Sequence, residues 1–199
     1  MLLIAAGGGI ILLVISLPLM LVNYDPANTS GLIKPYQIGR IINFLFPDEE
    51  ASFGAIYNVQ QALISIGDGG WIGQGYGSGT QVQLRFLKVR HSEFIFSALS
   101  EEFGFVGAVL VIATLGFIIY RCLRAARLSS DTYGALIAYG AATLIAFQTI
   151  VNVGMNLNLL PVTGLTLPFV SYGGSSLLTL FIAIGLVESV VLRHKDLEF

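Results

Sequence analysis

Residues 103–120 read FGFVGAVLVIATLGFIIY, a run that contains no charged side chain. Crossing the roughly 30 Å of hydrocarbon in a bilayer takes about 20 apolar residues in a helix, because each residue adds about 1.5 Å. Together with the residues before it, this run predicts a membrane-spanning helix at about 94–120. Similar apolar runs predict spans at about 2–22, 133–155 and 175–192. The expected fold is therefore an all-α polytopic membrane protein with about four transmembrane helices.

The composition of the whole chain indicates the same class. Of the 199 residues, 55% are hydrophobic and 11% are charged, whereas soluble domains carry roughly 25% charged residues. A soluble globular domain is excluded, and the formal net charge of −2 provides no basic field for nucleic acid. With one cysteine and two histidines in the chain, neither an internal disulfide nor a His/Cys metal site is predicted, and Cys122 is expected to serve in packing.

A long segment, residues 23–93, separates the first two spans and is predicted to lie in water. It contains three prolines and the glycine run 67–79, both of which interrupt regular structure. Within it, residues 55–66 are moderately amphipathic and predict a short helix at the membrane interface, with Tyr57 and Trp71 at the level of the headgroups.

Positive charges set the predicted orientation. Arg121, Arg124 and Arg127 lie between the predicted second and third spans, and Arg193 and Lys195 follow the fourth span. Under the positive-inside rule these short basic segments lie in the cytoplasm, so the long loop lies outside.

The stretch 156–174 is too rich in proline and glycine to continue either flanking helix. Irregular backbone at membrane depth persists only where protein or a wet cavity satisfies its polar groups, and such breaks mark sites in transporters. Two interpretations stay open for this stretch: a broken helix that lines a cavity, and a short extracellular loop with a re-entrant turn.

Three acids lead into the second span: Glu93, Glu101 and Glu102. Ionisable residues next to a membrane are candidates for function. On one helix Glu93 and Glu101 would be about 12 Å apart along the axis, more than the roughly 6.5–9.5 Å between the two carboxylates of an inverting glycosidase. A simple two-carboxylate hydrolase is therefore not predicted. The basic residues of the preceding loop, among them Lys88 and Arg90, either bind an anionic headgroup or phosphate or are simply solvated.

Several long motifs occur in one order along the chain. They are LIKPYQ at 32–37, GYGSGTQVQL at 75–84, HSEFIF at 91–96, EEFG at 101–104 and LPVTGLTLPFVSYGGSS at 160–176. Together these motifs resemble those of the RodA/FtsW/SpoVE (SEDS) family. The sequences Gly-Thr-Gln and Pro-Val-Thr-Gly favour the RodA branch.

The resemblance implies a peptidoglycan glycosyltransferase that polymerises lipid II on the outer face of the bacterial cytoplasmic (inner) membrane, for cell elongation or division. It also implies a partner, a class B penicillin-binding protein that crosslinks the strands. Family members have about ten membrane spans, so this chain resembles the C-terminal portion, from the seventh span onward.

The family's essential acid lies in a His-Thr-Asp-Phe motif, which maps onto His91-Ser-Glu-Phe94 and places Glu93 at the catalytic position. Glutamate here replaces aspartate. It keeps a carboxylate that can act as a general base, but its oxygens are shifted by roughly 1 Å, a displacement that can cost about a hundredfold in rate. The resemblance also suggests substrate-binding roles for Gln81, Lys88, Arg90, His91, Ser171 and Tyr172. For Ser171 and Tyr172 the alternative is structural support of their loop.

The departing pyrophosphate needs positive charge, which Lys88 and Arg90 or a divalent cation (Mg²⁺ or Mn²⁺) could supply. No metal ligand is assigned within the chain. Two other functions stay open. A flippase for lipid-linked precursors would need no chemistry at Glu93, and a non-catalytic membrane scaffold would hold a penicillin-binding protein without making polymer.

Overall fold

The computed structural model describes residues 40, 44, 55–80 and 93–195. The chain divides into two compact units, Met1–Asp48 and Glu49–Phe199. In the first unit only positions 40 and 44 are described, and both are helical. The predicted span 2–22 and most of the predicted water-side loop lie outside the described residues.

Helices make up most of the described part of the second unit, and no strand occurs in that part. By length and composition, three of these helices can each cross a membrane: Ile95–Leu128, Thr132–Asn156 and the helix that begins at Gly174. An all-α polytopic membrane fold is therefore confirmed for the described residues, and these three helices correspond to the predicted spans 94–120, 133–155 and 175–192. The helices are α1 (Ala55–Gly69), α2 (Ile95–Leu128), α3 (Thr132–Asn156) and α4 (Gly174–Lys195).

Helix α2 is longer than predicted. It continues past residue 120 to Leu128, so Arg121, Arg124 and Arg127 lie on its last turns. Arginine is a good helix former, and its positive charge is favourable near a helix C-terminus, where the free carbonyl groups carry partial negative charge. The helix therefore continues beyond the uncharged run that predicted the span, and these arginines lie between the apolar parts of α2 and α3.

Helix α3 has well-defined ends. At its start the side chain of Asp131 accepts a hydrogen bond from the Gly134 N–H at 3.2 Å, which is an N-cap. At its end the Leu157 N–H still donates one turn back at 3.0 Å, and Asn158 takes a φ of +55°, a left-handed conformation that commonly ends a helix. From there to Gly174 the backbone is not helical, as predicted for this stretch.

Small residues line the contacts among α2, α3 and α4. Inside lipid there is little hydrophobic drive between helices, and small side chains allow the close backbone approach that holds them together. Cys122 belongs to this cluster with 2% of its surface exposed, which confirms its expected packing role. Phe117, Phe147 and Phe181 are exposed, as apolar side chains of membrane-spanning helices are when they face lipid. The buried small residues are Cys122, Ala125, Ala126, Ala138, Ala141 and Ala142.

Helix α1 packs one face against the start of α2. Val59 and Ala62 are buried there with Phe94, whereas Leu63 is 40% exposed. The helix predicted at 55–66 is thus present, is amphipathic, and extends slightly further than the sequence pattern indicated.

Candidate functional site

One end of the helix bundle brings together the start of α2, the end of α3 and the start of α4. Glu93 lies two residues before the first residue of α2 at this end, and the non-helical backbone 157–173, here called the broken segment, connects α3 to α4. Because most of the predicted site residues that the structure describes lie here, this end of the bundle is the candidate functional site.

The backbone carbonyl of Glu93 is held by two asparagine side chains of α3. Asn152 Nδ2 and Asn156 Nδ2 each donate a hydrogen bond to it at 3.1 Å. Both asparagines are fully buried, and their spacing of four residues places them on one face of the helix. The Glu93 residue itself is partly exposed. The backbone of Glu93 is therefore fixed, while part of the surface of the residue stays accessible.

The same asparagines bind two further segments. Asn156 Oδ1 accepts hydrogen bonds from the Ser97 N–H at 3.3 Å and from the Ser97 hydroxyl at 2.5 Å. Asn152 Nδ2 donates to the Leu165 carbonyl of the broken segment at 2.7 Å. Two side chains thus connect Glu93, the first turn of α2 and the broken segment.

Residues 70–79, called here the glycine strap, cross α2 where that helix is interrupted. The interruption lies at Gly104, whose φ of +68° and ψ of −168° are not helical. Such a break leaves backbone groups without their helical partners, and the strap supplies new ones. These bonds run from Phe105 N–H to Gly70 O (2.9 Å), from Val106 N–H to Trp71 O (3.2 Å), from Gln74 N–H to Glu101 O (2.9 Å) and from Gly75 N–H to Glu102 O (3.0 Å).

The two acids that follow Glu93 on α2 contact the glycine strap and the residue after it. Glu101 is fully buried, and its Oε1 accepts a hydrogen bond from the Thr80 hydroxyl at 3.5 Å. Glu102 Oε1 accepts a hydrogen bond from the Gly77 N–H at 3.3 Å. Both carboxylates therefore help to hold the strap on α2, a structural role that their position in the sequence did not reveal.

A tight turn at 167–171 lies within the broken segment. Ser171 is 3% exposed, and its hydroxyl accepts a hydrogen bond from the Leu167 N–H at 2.7 Å. Phe169 adopts a φ of +62°, which is unfavourable for a bulky residue, and its ring packs edge-on against Phe181 with centroids 5.9 Å apart. These contacts hold the turn in one conformation, to which the Ser171 hydroxyl contributes, and a substrate-binding role for Ser171 stays a prediction.

A cavity of about 290 Å³ opens between α3, α4 and the broken segment. Its wall mixes leucine side chains with hydroxyl groups and one amide. Gln148 Oε1 is buried here and has no hydrogen-bond partner among the described residues. The interpretation of the break as lining a cavity is thus favoured over a simple re-entrant loop. The polar side chains in the wall are Gln148, Thr166, Ser175, Ser176 and Thr179.

The remaining predicted binding residues fall into two groups. Tyr172 follows the buried Ser171, and its side chain is 85% exposed. A substrate-binding role for Tyr172 stays a prediction. The others, Gln81, Lys88, Arg90 and His91, lie outside the described residues.

Sequence analysis did not identify Asn152 and Asn156. A signal was present, because two amides four residues apart share one face of an apolar helix, and a buried polar side chain in a membrane span needs a partner. What the sequence could not show was that the partner is the carbonyl of Glu93, since 59 and 63 positions separate the bonded residues.

The fold and the site together define a polytopic membrane protein with a partly exposed acid and a nearby cavity whose wall mixes polar and leucine side chains. Comparison with known proteins refines this class. The family description "Cell cycle protein", which covers FtsW, RodA and SpoVE, matches residues 1–196. The chain belongs to the FtsW/RodA/SpoVE family.

Curated relatives come from all three branches of this family. A "Probable peptidoglycan glycosyltransferase FtsW" from Francisella salina is 42% identical over 167 residues, which cover 82% of this chain and 41% of the relative. "Peptidoglycan glycosyltransferase RodA" of Treponema pallidum is 43% identical, with coverages of 82% and 37%. "Stage V sporulation protein E" of Bacillus subtilis is 40% identical, with coverages of 80% and 43%. These similar identities do not single out the RodA branch.

A solved structure is similar as well. It is described as "Structural coordination of polymerization and crosslinking by a peptidoglycan synthase complex", and the matching chain has a TM-score of 0.60 and 33% sequence identity. The match covers 93% of this chain and 48% of that chain. The chain thus spans less than half the length of each of the proteins compared here.

Proposed function

We propose that this chain contributes the C-terminal portion of a peptidoglycan glycosyltransferase that polymerises lipid II. The observation that carries the proposal is the place of Glu93. By resemblance it corresponds to the acid of the family motif, and in the structure it is partly exposed and its backbone is fixed by buried side chains. Asn152, which holds the Glu93 carbonyl, also bonds to the carbonyl of Leu165 in the wall of the cavity.

In the proposed reaction the Glu93 carboxylate acts as general base. It takes the proton from the 4-hydroxyl of the acceptor sugar while that oxygen attacks the anomeric carbon of the donor. A new C–O bond forms on the face opposite the leaving group, the bond to undecaprenyl pyrophosphate breaks, and the anomeric carbon is inverted. Glu93 is the catalytic residue in this scheme because it is the group that contacts the reacting hydroxyl.

The leaving pyrophosphate needs charge stabilisation more than protonation. Lys88 and Arg90, close to Glu93 in the chain, are the proposed source of that charge, with Gln81, His91 and Tyr172 as further binding residues. A divalent cation, Mg²⁺ or Mn²⁺, is the alternative source. Among the side chains that the structure describes, no three His, Cys, Asp or Glu come together as a metal site.

The proposal also covers the side of the membrane on which the reaction takes place and the protein that works with this chain. Glu93 lies at the opposite end of α2 from Arg121, Arg124 and Arg127, and the positive-inside rule assigns the arginine end to the cytoplasm. Polymerisation would then take place on the outer face of the bacterial cytoplasmic membrane. A class B penicillin-binding protein is the proposed partner, which is supported by the similarity to a chain of a peptidoglycan synthase complex.

The experiment measures polymerisation of labelled lipid II in liposomes together with a class B penicillin-binding protein. It compares the unmodified protein with Glu93→Gln and Glu93→Asp, each as the 199-residue chain and as the product of the whole reading frame that contains it. Glu102→Gln is the matched control. Glu102 is a nearby acid that accepts a hydrogen bond from the Gly77 N–H. The amide oxygen of a glutamine can accept the same bond.

Glycan strands from the unmodified protein, Glu93→Asp and Glu102→Gln, but not from Glu93→Gln, would support the proposal. Activity in Glu93→Asp alone would indicate that this chain comes from a relative of the polymerases that has lost its activity. Precursor movement across the liposome membrane that persists in Glu93→Gln, without polymer from any variant, would favour a flippase. Binding of the penicillin-binding protein without polymer or movement would favour a scaffold.

A further inference from the structure

Helix α2 begins at Ile95 with Phe94 as its N-cap, so the Ser97 N–H is one of the first-turn donors that have no partner within the helix. If the helix began one residue earlier, the Ser97 N–H would donate to the Glu93 carbonyl four residues before it. Here both groups bond to the side-chain amide of Asn156 instead: Nδ2 donates to the Glu93 carbonyl, and Oδ1 accepts from the Ser97 N–H. The amide is inserted between two backbone groups that would otherwise bond to each other.

Asn152 completes the arrangement from one turn earlier on α3. Its Nδ2 also donates to the Glu93 carbonyl, and its own backbone carbonyl accepts a hydrogen bond from Asn156 Nδ2 at 2.8 Å. The Glu93 carbonyl thus accepts two side-chain donors from one rigid helix, and both donors are fully buried. Buried amides are almost always hydrogen-bonded, because an unsatisfied buried polar group is costly. The two amides and the Glu93 carbonyl therefore specify one local geometry.

We propose that Asn152 and Asn156 are positioning residues for the Glu93 carboxylate. The inference rests on the proposed function of Glu93 as general base. By fixing the carbonyl of Glu93 against α3, the two amides fix the Cα from which the carboxylate extends. They act through Glu93 and are not catalytic residues themselves.

The physical reason is the sensitivity of general-base catalysis to distance. A displacement of about 1 Å at the reacting groups can cost about a hundredfold in rate. Without the amides, the Glu93 carbonyl could accept a hydrogen bond from the Ser97 N–H, and α2 would begin one residue earlier. Glu93 would then become the N-cap residue of the helix, and its side chain would be redirected.

Asn152 also connects this geometry to the cavity. One Nδ2 group bonds both to the Glu93 carbonyl at 3.1 Å and to the Leu165 carbonyl at 2.7 Å. Leu165 lines the cavity between α3, α4 and the broken segment. The positions of the acid and of the cavity wall are therefore set by the same side chain.

The experiment has one readout that depends on activity and one that does not. In the first, kcat and KM for labelled lipid II are measured for Asn152→Ala, Asn156→Ala and Asn156→Leu, where leucine roughly keeps the volume and removes the hydrogen bonds. In the second, a nitroxide label on Glu93→Cys, in a Cys122→Ala background, reports the mobility of residue 93 by electron paramagnetic resonance. Both readouts use the full-length protein in liposomes.

Thr149→Val is the matched control for both readouts. Thr149 is also buried on α3, one turn before Asn152, but its hydroxyl donates to the Ile145 carbonyl of its own helix at 2.7 Å. Its replacement changes a buried polar group without releasing Glu93. A general loosening of α3 would therefore affect this variant and the asparagine variants alike.

We expect kcat to fall about tenfold to a hundredfold in the asparagine variants, with KM changed by less than about threefold, and the label at residue 93 to become more mobile. Thr149→Val should match the unmodified protein in both readouts. Unchanged kcat and unchanged mobility in a folded Asn156→Leu protein would overturn the inference, as would equal losses in Thr149→Val. If the unmodified protein makes no polymer, the proposed function fails, and the mobility of the label alone then shows whether the two amides hold residue 93.

Discussion

Gly73 of the strap and Gly104 of α2 meet backbone to backbone, so closely that neither position has space for a side chain. A Cβ atom on Gly73 would lie 2.6 Å from the Gly104 nitrogen, and one on Gly104 would lie 2.6 Å from the Ile72 carbonyl carbon. Real Cβ atoms do not approach other atoms this closely, so the contact depends on glycine at both positions. It holds the strap over the interruption of the membrane helix that Glu93 precedes.

Gly104→Ala should destabilise the protein and release the strap. Its φ of +68° and ψ of −168° fall in a region that is essentially restricted to glycine, where other residues cost about 1–3 kcal/mol, and the clash with the strap adds to this. We expect the free energy of unfolding in detergent to fall by at least about 2 kcal/mol, and amide hydrogen exchange at residues 70–75 to accelerate.

Gly116→Ala on the same helix is the control for Gly104→Ala. A Cβ atom at Gly116 meets nothing within 4 Å, and alanine is the better helix former by up to about 1 kcal/mol. Stability should therefore stay the same or rise. Equal stability of the two variants would contradict the structural role assigned to the contact between Gly73 and Gly104.

Gly79→Ala tests the burial of Glu101 under the strap. The new Cβ atom would lie 2.8 Å from Glu101 Cδ, and Glu101 is fully buried and cannot swing into open space. Overpacking of this kind costs about 1–3 kcal/mol. We expect that loss in the free energy of unfolding, and Gly67→Ala, where a Cβ atom meets nothing within 4 Å, should lack it.

The same clash predicts energetic coupling between substitutions at Gly79 and Glu101. In a Glu101→Ala background the side chain that obstructs residue 79 is shortened, so Gly79→Ala should cost measurably less than it does alone. A double-mutant cycle on the free energy of unfolding would give an interaction of about 0.5–3 kcal/mol. Strictly additive effects would show that Glu101 does not lie against Gly79.

The sequence was sufficient to predict the three membrane helices that the structure describes and the break between α3 and α4. Spans are encoded locally, by uncharged runs long enough to cross a bilayer, and the break by Pro161, Gly164 and Pro168. The interruption of α2 was not predictable in the same way. Gly104 lies in an apolar run that would also suit an unbroken helix, and its conformation depends on a strap about 30 residues earlier in the chain.

The candidate site shows the same division between local and long-range information. Glu93 could be selected from a short motif, and its place before α2 followed from the adjacent sequence. Its fixation by Asn152 and Asn156 depends on a contact between the beginning of one helix and the end of the next. Amides in an apolar helix indicate that a partner exists, but the helix packing decides which one.

Ser171 and Tyr172 are adjacent in sequence but should respond differently to substitution. Ser171→Ala removes the hydroxyl that accepts the Leu167 N–H at 2.7 Å and leaves a buried donor unsatisfied, which costs about 1–3 kcal/mol of unfolding free energy. Tyr172→Ala changes a side chain that is 85% exposed, and stability should stay within about 0.5 kcal/mol.

Kinetics separate the two roles further. If Tyr172 binds substrate as proposed, Tyr172→Ala should raise KM for lipid II at least about threefold with little change in kcat, because uniform binding is lost. Unchanged kinetics together with unchanged stability would exclude Tyr172 from the binding site.

Ala142→Leu should disrupt the packing of the membrane helices themselves. Ala142 is 1% exposed and lies in the small-residue cluster between α2, α3 and α4, where a larger side chain forces the backbones apart. Overpacking costs about 1–3 kcal/mol, so we expect a corresponding loss of stability in detergent. Ala113→Leu, on the exposed surface of α2, adds the same side chain where lipid can accommodate it and should leave stability within about 0.5 kcal/mol. Similar losses in both variants would mean that close approach of small residues does not hold these helices together.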